Sequence, residues 1–295
     1  MLASAPTQPA RRQLSQMIAR PGIIRAPGAV DALSAKLVEK AGFEAVHMTG
    51  GGIARSLGYP DVGLVTMTEA VERARSIARA VTIPVIADGD TGYGNAINLM
   101  RTIEEFEHAG VAGIHIEDQV TPKRCGHYAG NELVSTAEMV RKIEAACAAR
   151  RDPEFVIIAR TDARLVEGLD SAVERAMSYR RAGADVIFIE APRSLDEIKA
   201  LPGLVAAPLL INMFSGGKTP PVGTADLRSF GYRIVIFPSH LQRASIKAMQ
   251  RALALLTRED LSAADDGELM VSFAERDELV GLSGIEDLER TYLTD

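Results

Sequence analysis

Residues 109–118 read Ala109-Gly110-Val111-Ala112-Gly113-Ile114-His115-Ile116-Glu117-Asp118, and their order decides the fold. A helix-like segment at 95–108 runs into Ala109-Gly110, where glycine suits the left-handed position that ends a helix. A short apolar run follows and stops on two carboxylates. The same phrase recurs as Ala41-Gly42-Phe43 before 45–48, and as Ala182-Gly183 before 185–189. Further strand-like runs lie at 22–25, 83–87, 155–159, 208–211 and 233–237. Continuous apolar runs, rather than alternating ones, indicate parallel strands buried on both faces. Amphipathic segments follow them at 32–40, 68–80, 95–108, 136–149 and 170–181, with weaker ones at 195–201 and 225–230 and a longer one at 241–256. Eight strand–helix units are what a closed (β/α)8 TIM-type barrel requires. A doubly wound open sheet would need fewer strands and a phosphate loop, and no Gly-x-Gly-x-x-Gly follows a strand here.

The barrel so defined spans 21–256, after an N-terminal arm or helix at 1–20 and before a C-terminal helical extension at 257–295. The extension's two helical pieces, 272–280 and 285–292, cannot join a closed barrel. They must pack outside it or on a neighbouring subunit, which points to an oligomer. Hydrophobic residues make up 47% of the chain and charged residues 24%, a balance that supplies a soluble globular core. A net charge of -6 and the lack of a basic cluster argue against a nucleic-acid partner. No apolar run reaches the ~18 residues of a membrane span, and Met1 to Pro9 lack the order of a secretory signal. The only cysteines are Cys125 and Cys147. A structural disulfide is therefore not expected, and a reducing cytoplasm is the simplest compartment.

Barrel chemistry sits where the strands end. The second strand ends in Thr49-Gly50-Gly51-Gly52, read as a loop whose exposed N–H groups can bind a carboxylate. The third ends in Asp88-Gly89-Asp90, the fourth in Glu117-Asp118, the fifth in Arg160-Thr161-Asp162, the sixth in Glu190 and the seventh in Asn212. Asp88, Asp90 and Glu117 at one mouth would repel each other unless a hard cation such as Mg²⁺ or Mn²⁺ joined them. Zinc is disfavoured, because no His/Cys set with suitable spacing is apparent. Six residues beyond Glu117 begins Lys123-Arg124-Cys125-Gly126-His127. A thiol flanked by these cations should be stabilised as thiolate, and so be usable as an acid, base or nucleophile. Arg160 would neutralise a carboxylate or oxyanion.

These residues resemble the isocitrate lyase and phosphoenolpyruvate mutase superfamily, and most closely its 2-methylisocitrate lyase branch. The resemblance rests on Pro21-Gly22 with 31–35, on 48–52, Leu57-Gly58-Tyr59-Pro60-Asp61, 88–95, Glu117-Asp118-Gln119, 123–127, 159–163 and 216–220. It runs from about residue 21 to 251. It implies Mg²⁺ held by Asp88, Asp90 and Glu117, with Asp61 in its water shell and Mn²⁺ as a possible substitute. It implies a substrate carboxylate and keto group on Thr49, Gly50, Gly51 and Asp88, with Gly126, Arg160, Glu190, Asn212 and Arg243 completing the pocket. Cys125 would protonate the carbanionic fragment once a carbon–carbon bond breaks, helped by Lys123, His127 and Arg160. The implied assembly is a homotetramer, a dimer of dimers with exchanged C-terminal helices.

The sequence departs from the family at the pocket for the second fragment. Asn212-Met213-Phe214-Ser215 stands where Asn-Ile-Thr-Glu is usual, and His240 stands where a serine is usual. Arg276 aligns with a family arginine. The expected reaction is Mg²⁺-dependent cleavage of a 2-hydroxy di- or tricarboxylate, methylisocitrate- or dimethylmalate-like, to an α-keto acid and a second acid. Oxaloacetate hydrolysis or decarboxylation, carboxyphosphoenolpyruvate phosphonomutase chemistry, and a non-catalytic dicarboxylate-binding barrel are the rival expectations.

Overall fold

A computed structural model describes residues 9–126, 128, 130–257 and 269–293. Eight parallel strands close in chain order: β1 Ile24–Ala29, β2 Val46–Met48, β3 Val85–Asp88, β4 Gly113–Glu117, β5 Val156–Thr161, β6 Val186–Ile189, β7 Leu209–Asn212 and β8 Ile234–Phe237. Closure is made by β1 on β8, with Ile24 opposite Ile234 and Pro27 opposite Phe237. The first strand thus starts later than the 22–25 run and continues through Pro27-Gly28. The small residues there serve a close approach, since a Cβ on Gly28 would overlap the backbone of Pro238.

The outer ring comprises α2 Ala32–Lys40, α4 Met67–Ala80, α5 Ala96–Ala109, α6 Thr136–Ala149, α8 Leu169–Arg181, α9 Leu195–Leu204, α10 Thr224–Phe230 and α11 His240–Leu256. Asp31, Thr66, Asn95, Ser135 and Ser194 cap five of them by accepting from backbone N–H groups in the first turn. Gly110 ends α5 at φ 95°, the left-handed stop its sequence phrase implies.

Strand periodicity then sorts side chains to two faces. Val46, Ala87, Ile114, Ile116, Ile157, Ala159 and Ile211 face outward into the core shared with the helices. Ala26, Ile86, Val156, Ile158, Phe188, Leu210 and Ile236 face inward and fill the barrel. Leu14 and Ile18 of α1 (Ala10–Ala19) join this inner cluster, so the N-terminal arm is a helix packed against the barrel filling. The same alternation separates neighbours at the strand tips. Glu117 belongs to the inner set, whereas Asp118 faces out to Thr161 Oγ1 at 2.7 Å, Tyr179 Oη at 2.7 Å and Arg175 at 3.3 Å. Asp118 is therefore a structural acid that ties β4 and β5 to α8.

Two short helices, α3 Gly50–Ser56 and α7 Ala163–Val166, are inserted after β2 and β5. At the C-terminus, α12 Phe273–Val280 and α13 Leu282–Tyr292 lie outside the barrel, with Lys40 of α2 ion-paired to Glu278 at 2.9 Å. No side chain of α11, α12 or α13 is buried, although Leu253, Phe273, Leu288 and Tyr292 are apolar.

Candidate active site

Above the inner apolar layer, the next inward positions are His47, Asp88, His115, Arg160, Glu190 and Asn212. They line one cavity of about 120 Å³ at the strand C-termini. Thr49, Gly51, Asp61, Lys123, Cys125, Gly126, Phe214, Pro238 and Ser239 complete most of its wall. Of the residues expected from sequence, Asp90 and Glu117 are buried beside this cavity. Arg243 is placed differently: it is exposed on α11, its guanidinium donating to Ser215 O at 2.6 Å. His240 also departs from expectation. It packs edge-on against Phe237 and lines a separate apolar groove beside α2. Its neighbours Pro238 and Ser239 face the cavity instead, because helix α11 begins at His240 and turns it away. Arg276 lies on exposed α12 against Phe273 and Asp277. His127 lies outside the described residues.

The glycine turn is not a loop. Gly50, Gly51 and Gly52 form the first turn of α3, with Thr49 as its N-cap accepting from Gly52 N at 3.3 Å. Gly50 N donates to Asp88 Oδ2 at 3.1 Å, so this amide orients a carboxylate of the protein. Glycine is required here by space. A Cβ on Gly50 would stand 2.7 Å from Asp88 Oδ2, and one on Gly51 2.6 Å from Asp61 Oδ2.

The acids are partly neutralised by the chain itself. Lys123 Nζ lies 2.6 Å from Asp61 Oδ1 and 2.8 Å from Asp90 Oδ1. Its ammonium therefore compensates these two carboxylates, a pairing that the order of residues in the loop did not reveal. Arg160 makes a two-point contact with Asp162 at 3.0 and 2.9 Å, and reaches Glu117 at 3.2 Å and Glu190 at 3.4 Å. Burial pushes the Asp90 carboxyl up to about 6, with Lys123 opposing. It drives Glu117 well above the usual carboxylate range against the pull of Arg160. Burial also acts to raise Asp88, but His115 and Lys123 hold that carboxyl below its ordinary value.

Glu117 Oε1 is buried without a hydrogen-bond donor. An orphaned carboxylate oxygen among three further acids fits a hard divalent cation. The four acids do not converge on a single point. Among the described residues, the donor atoms that lie within 4.8 Å of one another are those of His47, Asp88 and His115. That grouping overturns the expectation that no histidine set exists, yet its geometry is that of a relay. His115 turns Nε2 to His47 Nε2 at 3.1 Å and Nδ1 to Asp88 Oδ1 at 3.6 Å, so no one of its nitrogens faces both partners. A cation that keeps part of its water shell can span the wider acid set, because waters supply the missing reach.

The cysteine loop is pinned at Arg124 and Cys125. Gln119 accepts from Arg124 N and donates to Arg124 O, each at 2.9 Å, and Cys125 N donates to Asp61 O at 3.2 Å. Gly126 packs so closely on Arg160, Asp162 and Glu190 that a Cβ would overlap all three. Residues beyond the expected set also contribute. His47 and His115 showed in sequence only as polar interruptions of apolar strands. Phe188 supports Arg160 from 5.2 Å below its guanidinium, and Arg55 of α3 stands at the cavity wall.

The sequence profile of phosphoenolpyruvate phosphomutase matches residues 14–257. A 2,3-dimethylmalate lyase of Eubacterium barkeri is 47% identical over 283 residues, covering 96% of this chain and 98% of that protein. A 2-methylisocitrate lyase of Aeropyrum pernix is 46% identical over 277 residues, covering 94% of this chain and 88% of that protein. The solved structure of an oxaloacetate acetylhydrolase in complex with the inhibitor 3,3-difluorooxalacetate has a TM-score of 0.91 to this fold at 32% identity, covering 99% of each chain.

Burial lowers His47 to about 3, with His115 adding to the effect, so the ring is neutral in the folded protein at neutral pH. The unfolded ring binds its proton near the ordinary value of about 6.5. The resulting stability is full above that value and is lost as pH falls toward 3. Wild-type stability in urea should therefore decline more steeply than that of His47→Gln between these limits, by up to about 1.4 kcal/mol per pH unit. Parallel pH profiles for the two proteins would refute a neutral buried His47.

Proposed function

The chain belongs to the phosphoenolpyruvate mutase and isocitrate lyase superfamily, and we propose that within it the protein is a divalent-metal-dependent carbon–carbon lyase. Its substrate is a small 2-hydroxy dicarboxylate of the 2,3-dimethylmalate kind, split to an α-keto acid and a second carboxylic acid. The observation that carries this reading is the position of Cys125, on a pinned loop in the same cavity as Asp88, Arg160 and the glycine turn.

As a carboxylate of the buried acid cluster takes the C2 hydroxyl proton, the bond between C2 and C3 breaks, C2 becomes a ketone carbon and the bonding electron pair stays on C3, leaving that fragment carbanionic. That fragment needs one proton at carbon, which the Cys125 thiol supplies from the loop. Arg160 faces the negative charge that develops, in a site where burial strengthens the interaction. Thr49 and the turn of Gly50 and Gly51 cradle the α-keto end, while Glu190 and Asn212 hold the opposite wall. Asp88, Asp90 and Glu117, with Asp61 beside them, would hold a divalent cation, Mg²⁺ or Mn²⁺, which when bound would supply Lewis-acid polarisation at the α-keto end. His127 and Lys123, which flank Cys125 in sequence, belong to the proposed catalytic group around the thiol.

Phe188, Phe214, Ile236 and Pro238 contribute apolar surface to the cavity lining. That surface suits methyl substituents better than the third carboxylate of methylisocitrate, and the dimethylmalate lyase of E. barkeri points the same way. We further propose a homotetramer assembled through the exposed apolar faces of α11–α13, located in the cytoplasm. Among the described residues no helix is long and apolar enough to cross a membrane.

Purified protein should release α-keto acid faster from 2,3-dimethylmalate than from isocitrate, methylisocitrate or oxaloacetate. EDTA should abolish this activity and Mg²⁺ restore it. Acetate and oxalate from oxaloacetate as the main products would replace the lyase reading with a hydrolase one.

Cys125→Ser should fold and bind Mn²⁺ as wild type does, yet cleave about 10²–10⁴-fold more slowly, the usual worth of a general acid. Turnover near the wild-type rate would remove Cys125 as the proton donor.

Light scattering of the purified protein should give a mass near four chains. A monomer at micromolar concentration would overturn the proposed assembly.

A further inference from the structure

Three cations line the cavity: Arg55, Lys123 and Arg160. Two of them already have carboxylate partners, Lys123 in Asp61 and Asp90 and Arg160 in Glu117, Asp162 and Glu190. Arg55 differs. Among the described residues its guanidinium has no ion pair, and its hydrogen bond is from Nη1 to Gly51 O at 2.8 Å. A Cβ built on Gly51 would stand 3.1 Å from that same Nη1, so the group is held over the glycine turn at the cavity mouth. A guanidinium carries five N–H donors in a rigid fork, and one bond to a carbonyl leaves most of them open to a ligand at the cavity wall. The neighbouring cation, Arg243, is bonded to Ser215 O and is not part of the cavity wall.

We propose that Arg55 is a specificity-determining residue, the binding partner for the substrate's second carboxylate, the one that ends on the fragment released without the keto group. This rests on the lyase reading above, in which the first carboxylate occupies the glycine turn beside Arg160. A dicarboxylate brings two negative charges into a cavity whose other two cations are already compensated by acids. Among the described residues of the cavity lining, Arg55 is the cation without a carboxylate partner, and its fork matches a carboxylate in two-point geometry. The site accordingly selects dicarboxylates over 2-hydroxy monocarboxylates. The bond to Gly51 O fixes the fork's direction before substrate arrives, and so limits the side-chain entropy lost on binding.

Two probes separate the ends of the site: oxalate, which spans only the α-keto end, and 3,3-difluorooxaloacetate, which carries a second carboxylate further out. Calorimetry would be run on the full-length protein in Mg²⁺ with wild type, Arg55→Gln, Arg55→Lys and Arg243→Gln. Arg55→Gln should weaken 3,3-difluorooxaloacetate at least tenfold while leaving oxalate within twofold, and Arg55→Lys should recover part of the loss. Equal weakening of both probes would assign Arg55 to supporting the glycine turn and overturn the proposal. So would an unchanged affinity for both, or a selective loss in Arg243→Gln alone. Wild-type protein that binds neither probe would refute the lyase reading itself, whereas wild-type binding with no selective effect at Arg55 would refute this inference alone.

Discussion

Carboxylates held out of water at one end of the barrel impose the constraint on which the site depends. Asp61, Asp88, Asp90, Glu117, Asp162 and Glu190 are all buried there, and each must find positive charge or take up a proton. Arg160 answers three of them from the tip of β5, and Lys123 answers two from the loop after β4. The second of these pairings has a mechanical consequence. Because the Lys123 ammonium is drawn to Asp61 and Asp90, the loop is drawn with it, and Cys125 is set at the cavity. Removing one partner of such a buried group leaves the other uncompensated, which costs several kcal/mol. Charge compensation and placement of the thiol are thus one structural event.

The parity of the strands distributes the remaining work. Adjacent residues at a strand tip point to opposite faces, so Glu117 turns to the cavity while Asp118 turns to Arg175 and Tyr179 on α8. Arg160 and Thr161 divide in the same way, and Thr161 donates to Asp118 Oδ2. The outward set ties the strand ends to the helices and the inward set lines the cavity. Close approach then fixes the loops. Gly126 lies against Arg160, Asp162 and Glu190 where any side chain would overlap, so the cysteine loop and the arginine are packed as one unit. Positioning reacting groups in this manner is a major source of rate in enzymes that split carbon–carbon bonds.

A histidine pair lines the same cavity, and it illustrates how a buried polar group can be both costly and useful. His47 and His115 displace apolar filling from the barrel interior, and burial lowers the proton affinity of both rings. Their shared hydrogen bond and the approach of His115 to Asp88 hold that carboxylate from below while Gly50 N holds it from the side. Asp88 is therefore held from both neighbouring strands, β2 and β4.

Much of this was legible in the sequence alone. Eight apolar runs, three of them entered from Ala-Gly, marked eight strand–helix units, and the first polar residue after a run identified Asp88, Glu117, Arg160, Glu190 and Asn212. Those signals are local, carried by periodicity and by the backbone preference of glycine, so they survive without knowledge of the fold. Tertiary structure decided which of these groups meet. The partnership of His47 with His115 spans 68 positions and depends on the register of β2, β3 and β4. The attachment of Lys123 to Asp61 depends on how a loop crosses the barrel mouth, and sequence adjacency had pointed it at the thiol instead. The glycine triplet folds into a helix because Thr49 caps it and the acids crowd it, neither of which a run of glycines reveals. His240 and Arg243 leave the cavity because α11 begins one residue after Ser239. Sequence specifies the chemistry each strand end carries, and strand parity, register and helix phase decide which side chains share one cavity.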